Sequence, residues 1–166
     1  MAKFILDTRF DFGFQLIGLT CHESEYRLCA YLNRELRFSF VREKPLELKI
    51  KKLEKSFNFS LFSSSEEGSE NLVYLINNQS ISQSSEVSLQ TQKIQGSLFD
   101  EIEDVVSTKF FLIPEKPEID YFLMLNGEFS DNWLYNLKLK LGESELILNS
   151  SDIDASKLSS KNNLLF

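Results

Sequence analysis

Phe110-Phe111-Leu112-Ile113-Pro114-Glu115-Lys116-Pro117-Glu118-Ile119-Asp120-Tyr121-Phe122-Leu123-Met124-Leu125 decides the fold. Two apolar runs, 110–113 and 121–125, are parted by a charged segment holding Pro114 and Pro117. Each run is short and apolar at consecutive positions, so each reads as a strand covered on both faces. The prolines remove two amide donors and push Ile113 and Lys116 toward extended backbone. A bend or bulge ahead of Asp120-Tyr121 is expected, with Glu115 or Asp120 accepting backbone amides there. In a continuous strand these two carboxylates would lie about 17 Å apart on opposite faces. A joint acid–base role therefore requires the segment to fold back.

Working outward, Lys3 to Leu19 is rich in Phe, Ile and Leu, lacks Pro, and reads as one or two strands. Thr20-Cys21-His22-Glu23 has the spacing of a capping box. Behind it Tyr26, Cys29, Leu32 and Leu36 recur at helical spacing, which predicts a helix over 21–36. Phe38 with Phe40, then Leu46, Leu48 and Ile50, alternate with polar residues as strands do, with a turn at Glu43-Lys44-Pro45. Phe57, Phe59 and Leu61 continue that pattern as one strand, and 63–70 reads as a polar loop. Leu72 to Ile76 is a strand apolar on both sides. A Ser/Gln/Asn-rich insertion at 77–97 is expected to be flexible, and 98–106 carries helical spacing.

Past the central runs, Ser130-Asp131 predicts the cap of a helix over Trp133 to Leu141, closed by Gly142. Glu145 to Leu148 reads as a final strand, and 152–163 as a polar C-terminal tail. The whole predicts one α+β domain over 1–166: a two-layer arrangement of a mainly antiparallel sheet with two main helices on one face.

With 18 basic and 25 acidic residues the net charge is −7. That balance disfavours nucleic acid and anionic membrane surfaces as partners. No run approaches the roughly 20 apolar residues of a spanning helix. Asp7 follows the N-terminal apolar residues too soon for a signal peptide. Cys21 and Cys29 suit reduced thiols, and the expectation is a cytoplasmic protein.

Ile113 to Tyr121 matches, with Ile119 in place of Val, the pattern that names the bacterial IPExxxVDY family. Tyr26-Arg27-Leu28-Cys29 and the terminal Asn163-Leu164-Leu165-Phe166 also resemble that family's recurring marks. The resemblance implies a small cytosolic bacterial protein and carries no activity with it.

Other residues invite chemistry. His22 stands beside Cys21, whose thiolate a helix N-terminus would favour. Adjacent helical residues point about 100° apart, so His22 is poorly placed to activate it. One His and two Cys are too few for a protein zinc site. Lys49, Lys51, Lys52 and Lys55, with Lys44 before them and Phe57 and Phe59 after, form a basic stretch that would suit single-stranded RNA. Glu47 and Glu54 dilute it, and lysines on a strand edge also block aggregation. No phosphate loop, dinucleotide glycines or nucleophile elbow is present.

The reading is a non-enzymatic protein-interaction module or adaptor without catalytic residues, metal or cofactor. Its interaction candidates are Ile113, Pro114, Glu115, Asp120 and Tyr121 in the centre and Leu164, Leu165 and Phe166 at the C-terminus. The partner is an unnamed protein or a second copy of the chain. The alternatives are an RNA-associated factor using the lysines and a small enzyme using Glu115, Asp120 or Cys21. Strands apolar on both faces sharpen the expectation, because helices cover only one side of the sheet. The other needs the tail, the insertion or a second chain.

Overall fold

A computed structural model of the protein describes residues 13–50, 55–65, 68, 70–80 and 109–166, with Ile50 and Lys55 through their backbone alone. The first elements are β1 (Phe14–Thr20), α1 (Glu25–Leu36), β2 (Val41–Arg42), β3 (Leu46–Ile50) and β4 (Lys55–Phe59). They are followed by β5 (Leu61–Ser65), β6 (Leu72–Asn77), β7 (Tyr121–Asn126), α2 (Asp131–Gly142) and β8 (Asn149–Ile153). Six strands form one sheet in the order β2-β5-β6-β7-β1-β8, and β3-β4 form a separate hairpin. Every described pairing is antiparallel. The expected α+β class is present, with two helices against a mainly antiparallel sheet.

Period-two alternation splits the apolar strands between two cores. Ile17, Leu19, Leu75, Leu123 and Leu125 face one way and pack with Leu28 and Leu32 of α1 and Leu137 and Leu141 of α2. Leu16, Ile76, Phe122 and Met124 face the other way. That second face is covered from within the chain, by Phe59 of the hairpin, by Leu112, Ile113 and Ile119, and by Ala155, Leu158 and Leu164 near the C-terminus. Gly18 lets Ile119 lie directly on β1: a Cβ there would stand 2.8 Å from Ile119 Cδ1.

Several sequence expectations need correction. The capping box at Thr20 to Glu23 does not form. Thr20 ends β1, and α1 starts at Glu25 behind Ser24, which makes no side-chain cap bond. The reason is sheet pairing: Leu19 and Thr20 are held against β7 or β8, and the Cys21 amide is taken by Asp120. Phe57 to Leu61 is not one strand. It breaks at buried Ser60, so β4 joins the hairpin and β5 the main sheet. The chain is still strand at Ser63 to Ser65, where β5 pairs with β6. Phe38 to Phe40 is not strand, because Ser64 Oγ and Asn33 Oδ1 take the Ser39 and Phe40 amides. The last strand is Asn149–Ile153 rather than Glu145 to Leu148. Phe110 to Ile113 is not a strand: it makes one isolated bridge, Phe111 with Gln79, before bending into the proline segment.

The predicted tail at 152–163 begins inside β8, continues through two 3-10 turns, and buries Ala155 and Leu158. Of the insertion at 77–97, residues 77–80 are described. Asn77 closes β6, and Gln79 bridges to Phe111. Residues 81–97, the helical spacing at 98–106, and Lys3 to Phe12 lie outside the described residues.

Candidate functional site

The proline spacing folds Ile113 to Ile119 into two tandem β-turns. Lys116 N donates to Ile113 O at 3.0 Å, and Ile119 N to Lys116 O at 3.2 Å. Pro114 and Pro117 each take the second position of a turn, where a fixed φ near −65° is needed and no amide is missed. The segment therefore folds back, and its carboxylates reach different parts of the chain.

Asp120 closes the elbow between β1 and α1. Its Oδ2 accepts the Cys21 amide at 2.9 Å, and its own amide donates to Leu19 O at 3.0 Å. The Tyr121 hydroxyl donates to Glu23 O at 2.8 Å, and the Thr20 hydroxyl to Glu118 O at 3.1 Å. Burial pushes the Tyr121 hydroxyl pKa well up, so it stays a donor. Glu115 faces the C-terminal segment instead. Its two oxygens accept the Ser160 amide at 2.7 Å and the Ser160 hydroxyl at 2.6 Å. Those bonds, the hydroxyl's first, hold its carboxyl below the usual range. Asn163 adds a bond from Nδ2 to Leu112 O at 2.8 Å.

Under the turns lies Asn78, 0% exposed. Its Nδ2 donates to Lys116 O at 2.9 Å and Ile119 O at 2.8 Å, and its Oδ1 accepts the Ile113 amide at 2.9 Å. Its backbone donates to Asp120 O and accepts from Leu112 N, each at 2.8 Å. One primary amide thus shapes both turns. Sequence reasoning missed it. The one available signal was the Asn77-Asn78 pair that follows the apolar run Leu72 to Ile76, and the Ser/Gln/Asn tract behind it hid that signal.

Ile113, Ile119 and Tyr121 are buried, and Pro114 and Glu115 lie on the surface. Leu164 is 1% exposed and belongs to the second core, whereas Leu165 and Phe166 are each 56% exposed. The Phe166 ring meets Tyr74 of β6 edge-on at 5.4 Å. Lys49 is exposed on β3 and pairs with Glu47 at 3.8 Å. Lys55 sits opposite Ile50 in the hairpin, while Lys51 and Lys52 fall outside the described residues.

Cys21 and Cys29 are buried free thiols. Burial raises both, Cys29 to about 12, which reverses the expectation of a favoured Cys21 thiolate. His22 is exposed beside Cys21 in the elbow, ahead of the helix. Among the described residues no three His, Cys, Asp or Glu gather as a metal set, and no helix is long and apolar enough to cross a membrane.

A second feature has no counterpart in the sequence candidates. A cleft of about 320 Å³ opens where the C-terminal end of α1 meets α2. Leu36, Phe38, Trp133 and Leu137 give its apolar lining. Ser130, Asn132, Asn136 and Lys140 give its polar lining. Trp133 stacks on Phe129 at 4.5 Å and meets Phe38 edge-on at 6.2 Å. Lys140 Nζ also donates to Glu35 O at 2.9 Å, tying α2 to α1. The signals were the single tryptophan and the aromatic pair Phe38 and Phe40, which periodicity assigns to core or strand.

Comparison with protein-family models, with curated proteins and with solved structures gives no match.

Proposed function

We propose that this chain is a cytoplasmic protein-interaction module that binds through the α2 side of the molecule. The observation that carries the reading is the pair Tyr135 and Leu139. They stand one helical turn apart on α2 and are 66% and 46% exposed. Tyrosine is among the side chains that dominate interface energetics. The surplus apolar strand surface is covered within the chain, and the polar groups of Glu115, Asp120 and Tyr121 are bonded inside it. The proposed contact surface therefore shifts from residues 113–121 to α2. Leu165 and Phe166 form a second exposed apolar pair.

The test compares wild type with Tyr135→Glu/Leu139→Glu in a pull-down from native lysate, with light scattering to detect self-association. The reading expects a stoichiometric partner, or a dimer, that the double variant loses at unchanged melting temperature. A monomeric wild type that recovers nothing refutes it.

A further inference from the structure

The cleft between α1 and α2 differs from the rest of the surface in charge. The chain carries −7 overall, yet Lys140 is the one charged side chain among the described residues lining the cleft. Arg37 stands between the lining residues Leu36 and Phe38 and is exposed. Its φ of 57° holds an arginine in backbone that side-chain-bearing residues seldom adopt. Two acids adjoin lining residues in sequence. Glu35 is engaged by Arg34 at 2.7 Å. Asp131 is exposed between Ser130 and Asn132 in the first turn of α2, at the opposite end of the helix from Lys140.

Size and lining narrow the occupant. About 320 Å³ is at the lower end of small-ligand pockets, room for a ring and its flanks rather than a large cofactor. Trp133 and Phe38 are half-buried, so part of each ring is open to a visitor. Asn132 and Asn136 add side-chain amides that can bond a peptide backbone.

We infer that this cleft takes one aromatic side chain of an acidic peptide segment in the partner, the ring against Trp133 and Phe38 and the flanking carboxylates toward Lys140 and Arg37. The inference rests on the interaction-module reading and names the partner chemistry that the α2 side recognises. Charge complementarity selects the acid, since an acidic body repels acidic segments except where a local cation meets them. The aromatic lining selects the ring.

Trp133 is the only tryptophan, so its emission reports the cleft directly. Three synthetic pentapeptides serve as probes on the intact chain: a Phe flanked by Asp and Glu, the same peptide with Ala for Phe, and one with Lys for the acids. Excitation at the red edge, where tyrosine and phenylalanine do not absorb, isolates Trp133. The acidic Phe peptide should give a saturable change in emission, with Ala weakening it more than about tenfold. The Lys-flanked peptide should also bind more weakly. Lys140→Gln and Asn136→Asp should each weaken it roughly three- to fivefold. Asn136→Asp is near-isosteric and keeps the test valid if Lys140→Gln loosens the helices.

No saturable change, or equal affinity for the Ala or Lys-flanked peptide, overturns the inference. So does self-association of the chain lost in Asn136→Asp, which would make a second copy the occupant. Loss of peptide binding with the partner of Tyr135 and Leu139 still recovered would remove this site and leave the module reading standing.

Discussion

Replacing Asn78 by alanine tests whether one buried amide holds the 113–120 segment. The change strands three backbone groups: the Ile113 amide and the Ile119 carbonyl, both buried, and the Lys116 carbonyl, partly buried. Leaving a buried polar group unpaired costs about 1–3 kcal/mol. The partly buried carbonyl can recruit water, so about 3–6 kcal/mol is expected in total. Domains are typically stable by roughly 5–15 kcal/mol, so this loss is a large share. In urea titration, with a slope of about 2 kcal/mol per molar, the midpoint should fall by roughly 2 M.

Asn78→Asp separates hydrogen bonding from shape. It keeps an acceptor for the Ile113 amide but sets a carboxylate against two carbonyl oxygens. Burial and those oxygens raise its folded-state pKa above the unfolded value. The penalty is then full at pH above the folded pKa and shrinks as pH falls, because the acid form can donate to one carbonyl. A stability loss for Asn78→Ala of less than about 1 kcal/mol, or an aspartate variant indifferent to pH, refutes the reasoning.

Gly18→Ala should cost about 1–3 kcal/mol, since its Cβ would meet Ile119 Cδ1 at 2.8 Å. Ile119→Val removes that atom, so the double variant should lose less than the sum of the singles, as a double-mutant cycle in urea would show. The depressed Glu115 pKa predicts a pH response of the C-terminal segment. A lowered folded-state value means the contribution is present above the ordinary carboxyl pKa and lost as pH falls through the folded one. The protection of the Ser160 amide, its exchange relative to an unfolded amide at the same pH, should therefore fall in acid, and Glu115→Gln should remove that pH step. Leu164→Ala should cost about 2–5 kcal/mol, whereas Leu165→Ala and Phe166→Ala should each cost under about 1 kcal/mol, read from thermal melts. Equal losses at Leu164 and Phe166 would contradict the burial difference.

The α+β class was legible because period-two alternation and helical spacing respond to the same burial that builds the sheet and its two helices. Strands β3, β6 and β7 follow their apolar pattern to within a residue or two. The misses have a common physical cause. Where a side chain or a distant strand satisfies a backbone group, local pattern gives the wrong element. Ser64 and Asn33 take the amides of Ser39 and Phe40, and Asp120 takes that of Cys21. Strand β8 is polar at Asn149 to Asp152, because as the last strand of the six-stranded sheet it is specified by pairing with β1 rather than by its own apolar residues. The bend at 113–121 and its two carboxylates were legible as a shape, but their partners were not. Ser160 and Cys21 lie 45 and 99 residues away in the chain.

Those separations explain why so many polar groups concentrate in one short segment. Thr20 and Glu23 are joined to it across 98 residues, Asn78 across 35 to 41, and Ser160 across 45. Closing such loops costs entropy that rises only slowly with length, so bonds gathered at one hub can fasten distant segments for a modest further cost. The prolines fix the turns before those partners arrive, which lowers the entropy lost on ordering them. A segment rich in Glu, Asp and Tyr then needs no substrate to account for its residue types. Its requirements are geometric: two turns, a bidentate acceptor for Ser160, an acceptor for Cys21 and a buried hydroxyl donor for Glu23. The residues left for the interaction proposed above are those the fold does not use in this way. Tyr135 and Leu139 are exposed beyond what packing of α2 requires, and the open sides of Trp133 and Phe38 lie in the cleft next to them in sequence or on the facing helix end. Side chains on the α2 surface can therefore vary without disturbing the hub that closes the sheet.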